Sequence, residues 1–262
     1  MKLFLFFHLF VASVFAGEQK KEIVIGTTVG DFADMVRENI GPQLEKKGYR
    51  VKLVEFTDFV RPNHALSEGA IDANVFQHIP YLEEFSRNHN SKLTPIVQVP
   101  TAPFALYSGK SNRLEELKKG STVAVPNDPS NLARSLLVLQ NLGWIQLKPS
   151  LNYLQASTRD ILENPKGIKI LQLEAAQLPR VRQDTDFVMI NGNFAQSAGI
   201  AFTSALATEK VETFINWVVV REKDRHEPFA QDLISVYQSS EFIQYSKKRF
   251  PGYQQPKVQK TN

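Results

Sequence analysis

The 262-residue chain carries 31 Lys and Arg against 27 Asp and Glu, a formal net charge of +4, and no cysteine. Without cysteine there is no disulfide, no thiolate metal site and no cysteine nucleophile. A near-balanced charge whose two signs are mixed along the chain argues against a nucleic-acid surface, which clusters its Lys and Arg.

Residues 1–16 read as a secretory leader: one charge at Lys2, an apolar run, and small Ala16 where a peptidase cuts. The mature chain is expected to start at Gly17. The leader's apolar run is too short to cross a bilayer core of ~30 Å as a stable helix, so an exported soluble protein is expected. Residues 22–26 are a short apolar run ending in Gly26, followed by a loop and then a helix with Phe32, Met35, Val36 and Ile40 on one face. Pro42 after Gly41 is expected to kink that helix, and Gly48 to stop it before a strand over 51–56. Residues 62–68 read as a helix, 73–76 as a strand, 81–88 as a helix, and 97–107, broken by Pro100 and Pro103, as an extended segment. The opening order returns at 122–125: strand, loop, helix over 131–142 with Ser130 as N-cap, Gly143 as stop, and a strand at 145–147. Residues 186–190 and 214–220 read as strands, 229–245 as one or two helices, and 254–262 as a polar frayed tail. Two βαβ starts predict two α/β lobes, each offering its loops and helix N-termini at the carboxyl edge of its sheet.

Three stretches carry candidate chemistry. The first is Pro126 to Arg134, in which Asn131 and Arg134 sit three apart on the first turn of a helix. Free N–H groups, the positive dipole end and a guanidinium there suit a carboxylate. The same residues also read as a plain cap with Arg134 on a solvated face. The second is Ala73 to Leu82, where Phe76, His78 and Tyr81 surround a strand end locked by Pro80. They suit the wall of a slot for an apolar or thioether side chain, or else belong to the core. In the third, Asn191 ends a strand before Gly192, placed to donate to a carboxylate or accept from an ammonium; a simple turn explains it equally. Catalytic signatures are missing: no nucleophile elbow, no zinc-protease helix and no phosphate loop, since Phe104 stands where the upstream glycine of Gly109-Lys110-Ser111 would be. Asp184 and Asp186 read as a turn into a strand rather than a cation site.

Taken in order, Glu55-Phe56-Thr57-Asp58-Phe59 with Pro62-Asn63, Asp72-Ala73-Asn74 with Phe76-Gln77-His78 and Pro80-Tyr81-Leu82, Pro126-Asn127-Asp128-Pro129-Ser130-Asn131-Leu132 with Arg134, and Asn191-Gly192-Asn193-Phe194-Ala195 resemble the methionine-binding proteins of the NlpA type. The resemblance spans nearly the whole mature chain. It implies an α/β, two-lobe periplasmic substrate-binding protein, type II-like, with a hinge of two crossing segments. Lobe 1 is expected over 17–107 and 212–262, and lobe 2 over 108–211. The implied ligand is methionine or a related amino acid, without cofactor or metal. The implied partner is an inner-membrane ABC permease with its ATPase, and the protein is expected to be monomeric. Carried onto matching positions, Phe59, Phe76, His78 and Tyr81 would wrap the ligand side chain, Arg134 with Asn131 would hold the carboxylate, and Asn191 would orient the amino end. Gly17 stands where family members have the lipidated cysteine, so a soluble periplasmic protein without a lipid anchor is expected. Phe59 replaces a tyrosine common in the family, and 101–104 differ from several methionine-binding members. Two other readings stay open: a lyase or dehydratase on the same scaffold using His78 or an acid in the cleft, and an envelope adhesin or interaction protein that has lost transport.

Overall fold

The computed structural model describes residues 22–149, 152–209 and 212–257. The leader and residues 258–262 of the expected tail lie outside the described residues.

The chain opens with strand β1 (Glu22–Thr28), then helix α1 (Asp31–Met35), a π-helical turn (Val36–Ile40) and α2 (Gly41–Lys46). The helix is thus interrupted just ahead of Pro42, by a π turn. The wider π turn ahead of it accommodates a residue with no N–H, and Pro42 starts the next helical segment. Strand β2 (Arg50–Phe56), helix α3 (Arg61–Glu68), strand β3 (Ala73–His78) and helix α4 (Ile79–His89) follow. Next come β4 (Leu93–Val99), β5 (Ala105–Ser108), β6 (Thr122–Pro126) and helix α5 (Pro129–Asn141). A small hairpin of β7 (Gln146–Leu147) and β8 (Ile161–Glu163) leads to β9 (Lys169–Leu173), β10 (Phe187–Ile190), helix α6 (Gly192–Ser197) and β11 (Ala205–Thr208). Strand β12 (Asn216–Arg221) and helices α7 (Pro228–Tyr237) and α8 (Ser240–Arg249) close the chain.

The strands form two five-stranded sheets, ordered β2-β1-β3-β12-β4 and β11-β5-β10-β6-β9. In the first, β1 pairs in parallel with β2 and β3, while β12 runs antiparallel to β3 and β4. In the second, β6 is parallel to β9 and β10, and β5 is antiparallel to β10 and β11. This is the α/β architecture expected, with one sequence reading corrected: β7 leaves the main sheet for the hairpin, and β9 completes the second parallel unit. Lys169 and Gln172 interrupt its apolar residues, and none of it is fully buried, so a search for apolar runs passes it over.

The chain passes from the first sheet to the second at residues 100–104 and returns between Thr208 and Asn216. Because β5 belongs to the second sheet, a division at 107/108 would cut through a strand; the passage lies ahead of Ala105. The two passages are tied together. The Glu209 amide donates to the Phe104 carbonyl at 3.1 Å, and the Asn216 amide to Thr101 Oγ1 at 2.8 Å. Gln254, expected to fray, instead bridges Thr101 with paired backbone bonds of 2.9 and 3.0 Å.

Each sheet has its own core. Phe32, Met35, Val36 and Ile40 pack on Ile23 and Ile25 of β1 in the first, as their helical spacing predicts, and Leu132, Leu136 and Leu139 pack on Val123, Val125 and Phe187 in the second. The parallel strands thus end toward one another, and the loops at their carboxyl ends meet between the sheets.

Candidate functional site

The seven sequence-predicted site residues, Phe59, Phe76, His78, Tyr81, Asn131, Arg134 and Asn191, line one cavity between the two sheets. Phe32, Thr101, Gly192 and Asn216 also contribute to its wall.

The aromatic side comes from the first sheet and its loops. Phe59 stacks on Phe76 with ring centroids 5.9 Å apart and meets the Tyr81 ring edge-on at 6.1 Å. The Tyr81 hydroxyl donates to the Phe59 carbonyl at 2.8 Å, which fixes the loop. Phe194, from α6 on the opposite sheet, approaches Phe59 to 5.0 Å. His78 ends β3 and caps α4: its Nδ1 accepts from the Tyr81 amide at 3.2 Å. That bond places the ring proton on Nε2, which faces Asn131 Oδ1 at 3.5 Å. Burial and the neighbouring Arg134 hold His78 well below the usual imidazole range, so it is neutral.

The polar side comes from the second sheet. Asp128, not Ser130, is the N-cap of α5; its Oδ1 accepts from the Asn131 amide at 3.0 Å, and Pro129 occupies the first helical turn. Both Asp128 oxygens also accept from Asn131 Nδ2 at 2.9 Å. This double grip aims Asn131 Oδ1 into the cavity, where it accepts from Arg134 Nη1 at 2.7 Å and Asn191 Nδ2 at 3.0 Å. Asn191 Oδ1 is buried and has no hydrogen-bond partner.

Arg134 is not on a solvated face. Its guanidinium lies between the rings of Phe104 and Phe214, 4.4 and 4.5 Å from their centroids, one ring from each passage between the sheets. It also has a partner that the sequence did not reveal. Glu209 accepts from Nε at 2.9 Å and from Nη2 in a two-pronged pair. A guanidinium has five N–H donors. Two of them, one on each terminal nitrogen, remain uncommitted. One on each terminal nitrogen is what a carboxylate needs to bridge the two.

The two halves of the wall also touch directly. Asn193 Nδ2 donates to Thr28 Oγ1 at 3.1 Å, and Gln196 Nε2 to Asp34 Oδ2 at 3.3 Å. Among the described residues no cluster of His, Cys, Asp or Glu could hold a metal ion. Asp186 is used structurally, accepting from the Thr122 amide and hydroxyl at 2.7 and 2.9 Å.

A family model described as NlpA lipoprotein matches residues 23–258. The chain belongs to this family. It is 40% identical over 243 residues to the D-methionine-binding lipoprotein MetQ of Salmonella typhi, covering 90% of this chain and 89% of that protein. A nutrient-binding protein from Burkholderia cenocepacia, solved bound to methionine, superposes with a TM-score of 0.83 at 40% identity, covering 88% of this chain and 97% of its own. The periplasmic substrate-binding protein of an ABC transporter from Coxiella burnetii superposes with a TM-score of 0.81 at 38% identity, covering 87% and 97%. Membership corrects one expectation. A protein without a lipid anchor was expected from the absence of cysteine, whereas the family and its MetQ relatives are named lipoproteins.

Phe194, Phe104, Phe214 and Glu209 were not legible as site residues. Glu209 is separated from Arg134 by 75 positions, and no local spacing joins them.

Proposed function

We propose that the protein is the solute-binding component of an ABC importer, which captures methionine or a closely related amino acid in the cavity between its two lobes and delivers it to a membrane permease. The reading is carried by one observation: a buried acceptor without a partner, Asn191 Oδ1, stands beside the uncommitted donors of Arg134, both residues tied to the same Asn131 oxygen. Neighbouring donors and acceptor match the carboxylate and ammonium carried on one α-carbon. A buried polar atom left unpaired costs roughly 1–3 kcal/mol, which a ligand ammonium would recover. Phe59, Phe76 and Tyr81 would take the thioether, since sulfur makes favourable contacts with ring edges. His78, neutral and committed at both nitrogens, serves as a fixed wall.

The named relatives bind or transport solutes. Binding without turnover, and a monomeric protein, are part of this reading. Because ligand contacts come from both sheets, binding would favour the closed arrangement. The test is titration calorimetry of refolded, ligand-free protein with each enantiomer of methionine, followed by mass spectrometry of the released ligand. Saturable binding, with the ligand returned unaltered, supports the reading. Asn191→Leu should weaken that binding roughly 10- to 100-fold, as expected for losing ~1.5–3 kcal/mol of a hydrogen bond to a charged group. No binding of any amino acid, or chemical conversion of it, would overturn it.

A further inference from the structure

The pairing of Arg134 with Glu209 is more than a ligand carboxylate requires. The guanidinium is 4% exposed and the carboxylate 14%, so the pair sits in a poorly solvated region where charge is expensive. Glu209 cancels the positive charge of Arg134 before any ligand enters, yet leaves donors on both terminal nitrogens free. No other group facing the site adds a cation. His78 is held neutral by burial and by Arg134. Asp128, whose carboxyl burial pushes above the usual range, is held by Asn131. The remaining polar walls, Gln77, Thr101, Asn131, Asn191, Asn193 and Asn216, are uncharged.

A ligand that brings only a carboxylate would therefore leave an unmatched negative charge beside Glu209. One that brings its own ammonium would not. We propose that Glu209 is a specificity-determining residue that, by matching the charge of Arg134, restricts the cavity to zwitterionic α-amino acids and excludes the corresponding 2-hydroxy and 2-oxo acids. The inference rests on the transport reading above. It goes beyond that reading in assigning the discrimination to a residue that does not line the cavity.

The experiment compares the affinity of methionine with that of its 2-hydroxy analogue, 2-hydroxy-4-(methylthio)butanoate, for the wild type, Glu209→Gln and Glu209→Asp. Like charges brought together at a buried site cost several kcal/mol, so wild type should prefer methionine by about 100-fold or more. Glu209→Gln should shrink that preference by about 10-fold or more, chiefly through tighter binding of the hydroxy acid, because one negative charge fewer then opposes the incoming anion. Glu209→Asp, which keeps the charge, should retain a ratio near that of wild type. If Glu209→Gln weakens both ligands equally and leaves the ratio unchanged, Glu209 merely positions Arg134 and the inference falls while the transport reading stands. If the wild type binds neither compound, the transport reading falls and takes the inference with it. Should Glu209→Gln fail to fold, the wild-type ratio decides: about 100-fold or more supports the inference, and below about 10-fold overturns it.

Discussion

Replacing Arg134 by methionine keeps much of the side-chain volume but removes the charge that Glu209 faces and the cation between Phe104 and Phe214. Leaving one member of a buried pair without its partner costs roughly 3–5 kcal/mol. Loss of each ring contact adds about 0.5–1 kcal/mol, and burial of the methionine stem returns part of it. The net expectation for Arg134→Met is a loss of about 3–5 kcal/mol, a large part of the ~5–15 kcal/mol that holds a typical domain together. The paired replacement, Arg134→Met with Glu209→Met, should recover most of this, since exchanging a whole buried pair for apolar side chains is often neutral or stabilising. Urea denaturation at neutral pH, on protein freed of ligand, measures all three variants on one scale. A single variant within about 1 kcal/mol of wild type would refute the view that the pair is desolvated, as would a double variant less stable than either single one. The result also decides how affinity data are read, because an Arg134 variant changes stability as well as ligand contacts.

Burial raises the Asp31 carboxyl to about 7, against the Tyr253 hydroxyl and the Phe32 amide, which favour the ionised form. The folded state therefore binds the proton more tightly than the unfolded chain, and this contribution to stability is complete below about pH 4 and lost as pH rises through about 7. Asp31→Asn should accordingly gain stability relative to wild type as pH rises from about 4 to 8 in parallel melts, and a pH-independent difference would contradict the assignment. Gly192 starts α6 against the first passage between the sheets, where a Cβ would lie 2.2 Å from Ala102 Cβ and 2.8 Å from the Pro103 carbonyl oxygen. Gly192→Ala should destabilise by about 1–3 kcal/mol and displace Asn191, so a variant with wild-type melting temperature and affinity would count against that close approach. Phe194→Ala removes the ring that meets Phe59 from the opposite lobe; it should lower the closed fraction seen by small-angle scattering without ligand, by a factor set by ~0.5–1.5 kcal/mol, and unchanged scattering would rule this out.

How far the sequence could be read depended on how local each signal was. The apolar faces of the first helix and of α5 follow from spacing alone, and the structure buries those residues. Phe76, His78 and Tyr81 were readable because strand end, cap and proline are neighbours in the chain, although the cap of α5 was assigned to Ser130 when the longer reach of Asp128 past Pro129 takes it. Pro42 signalled a break, but a π turn absorbs it, and π turns leave no compositional mark. Strand β9 escaped notice because Lys169 and Gln172 break up its apolar residues and none of the strand is fully buried. Glu209 escaped for a different reason: its function comes from a pairing that only the second passage between the sheets creates. A buried ion pair between distant positions has no periodicity to betray it.

The most direct test of the account is a crystal structure of the protein with bound methionine. The account predicts the carboxylate on the free terminal N–H groups of Arg134, which stays paired with Glu209, the ammonium within hydrogen-bond distance of Asn191 Oδ1, and the sulfur among Phe59, Phe76 and Tyr81. Methionine bound in the reverse orientation, bound outside this cavity, or bound only after Arg134 leaves Glu209, would contradict it.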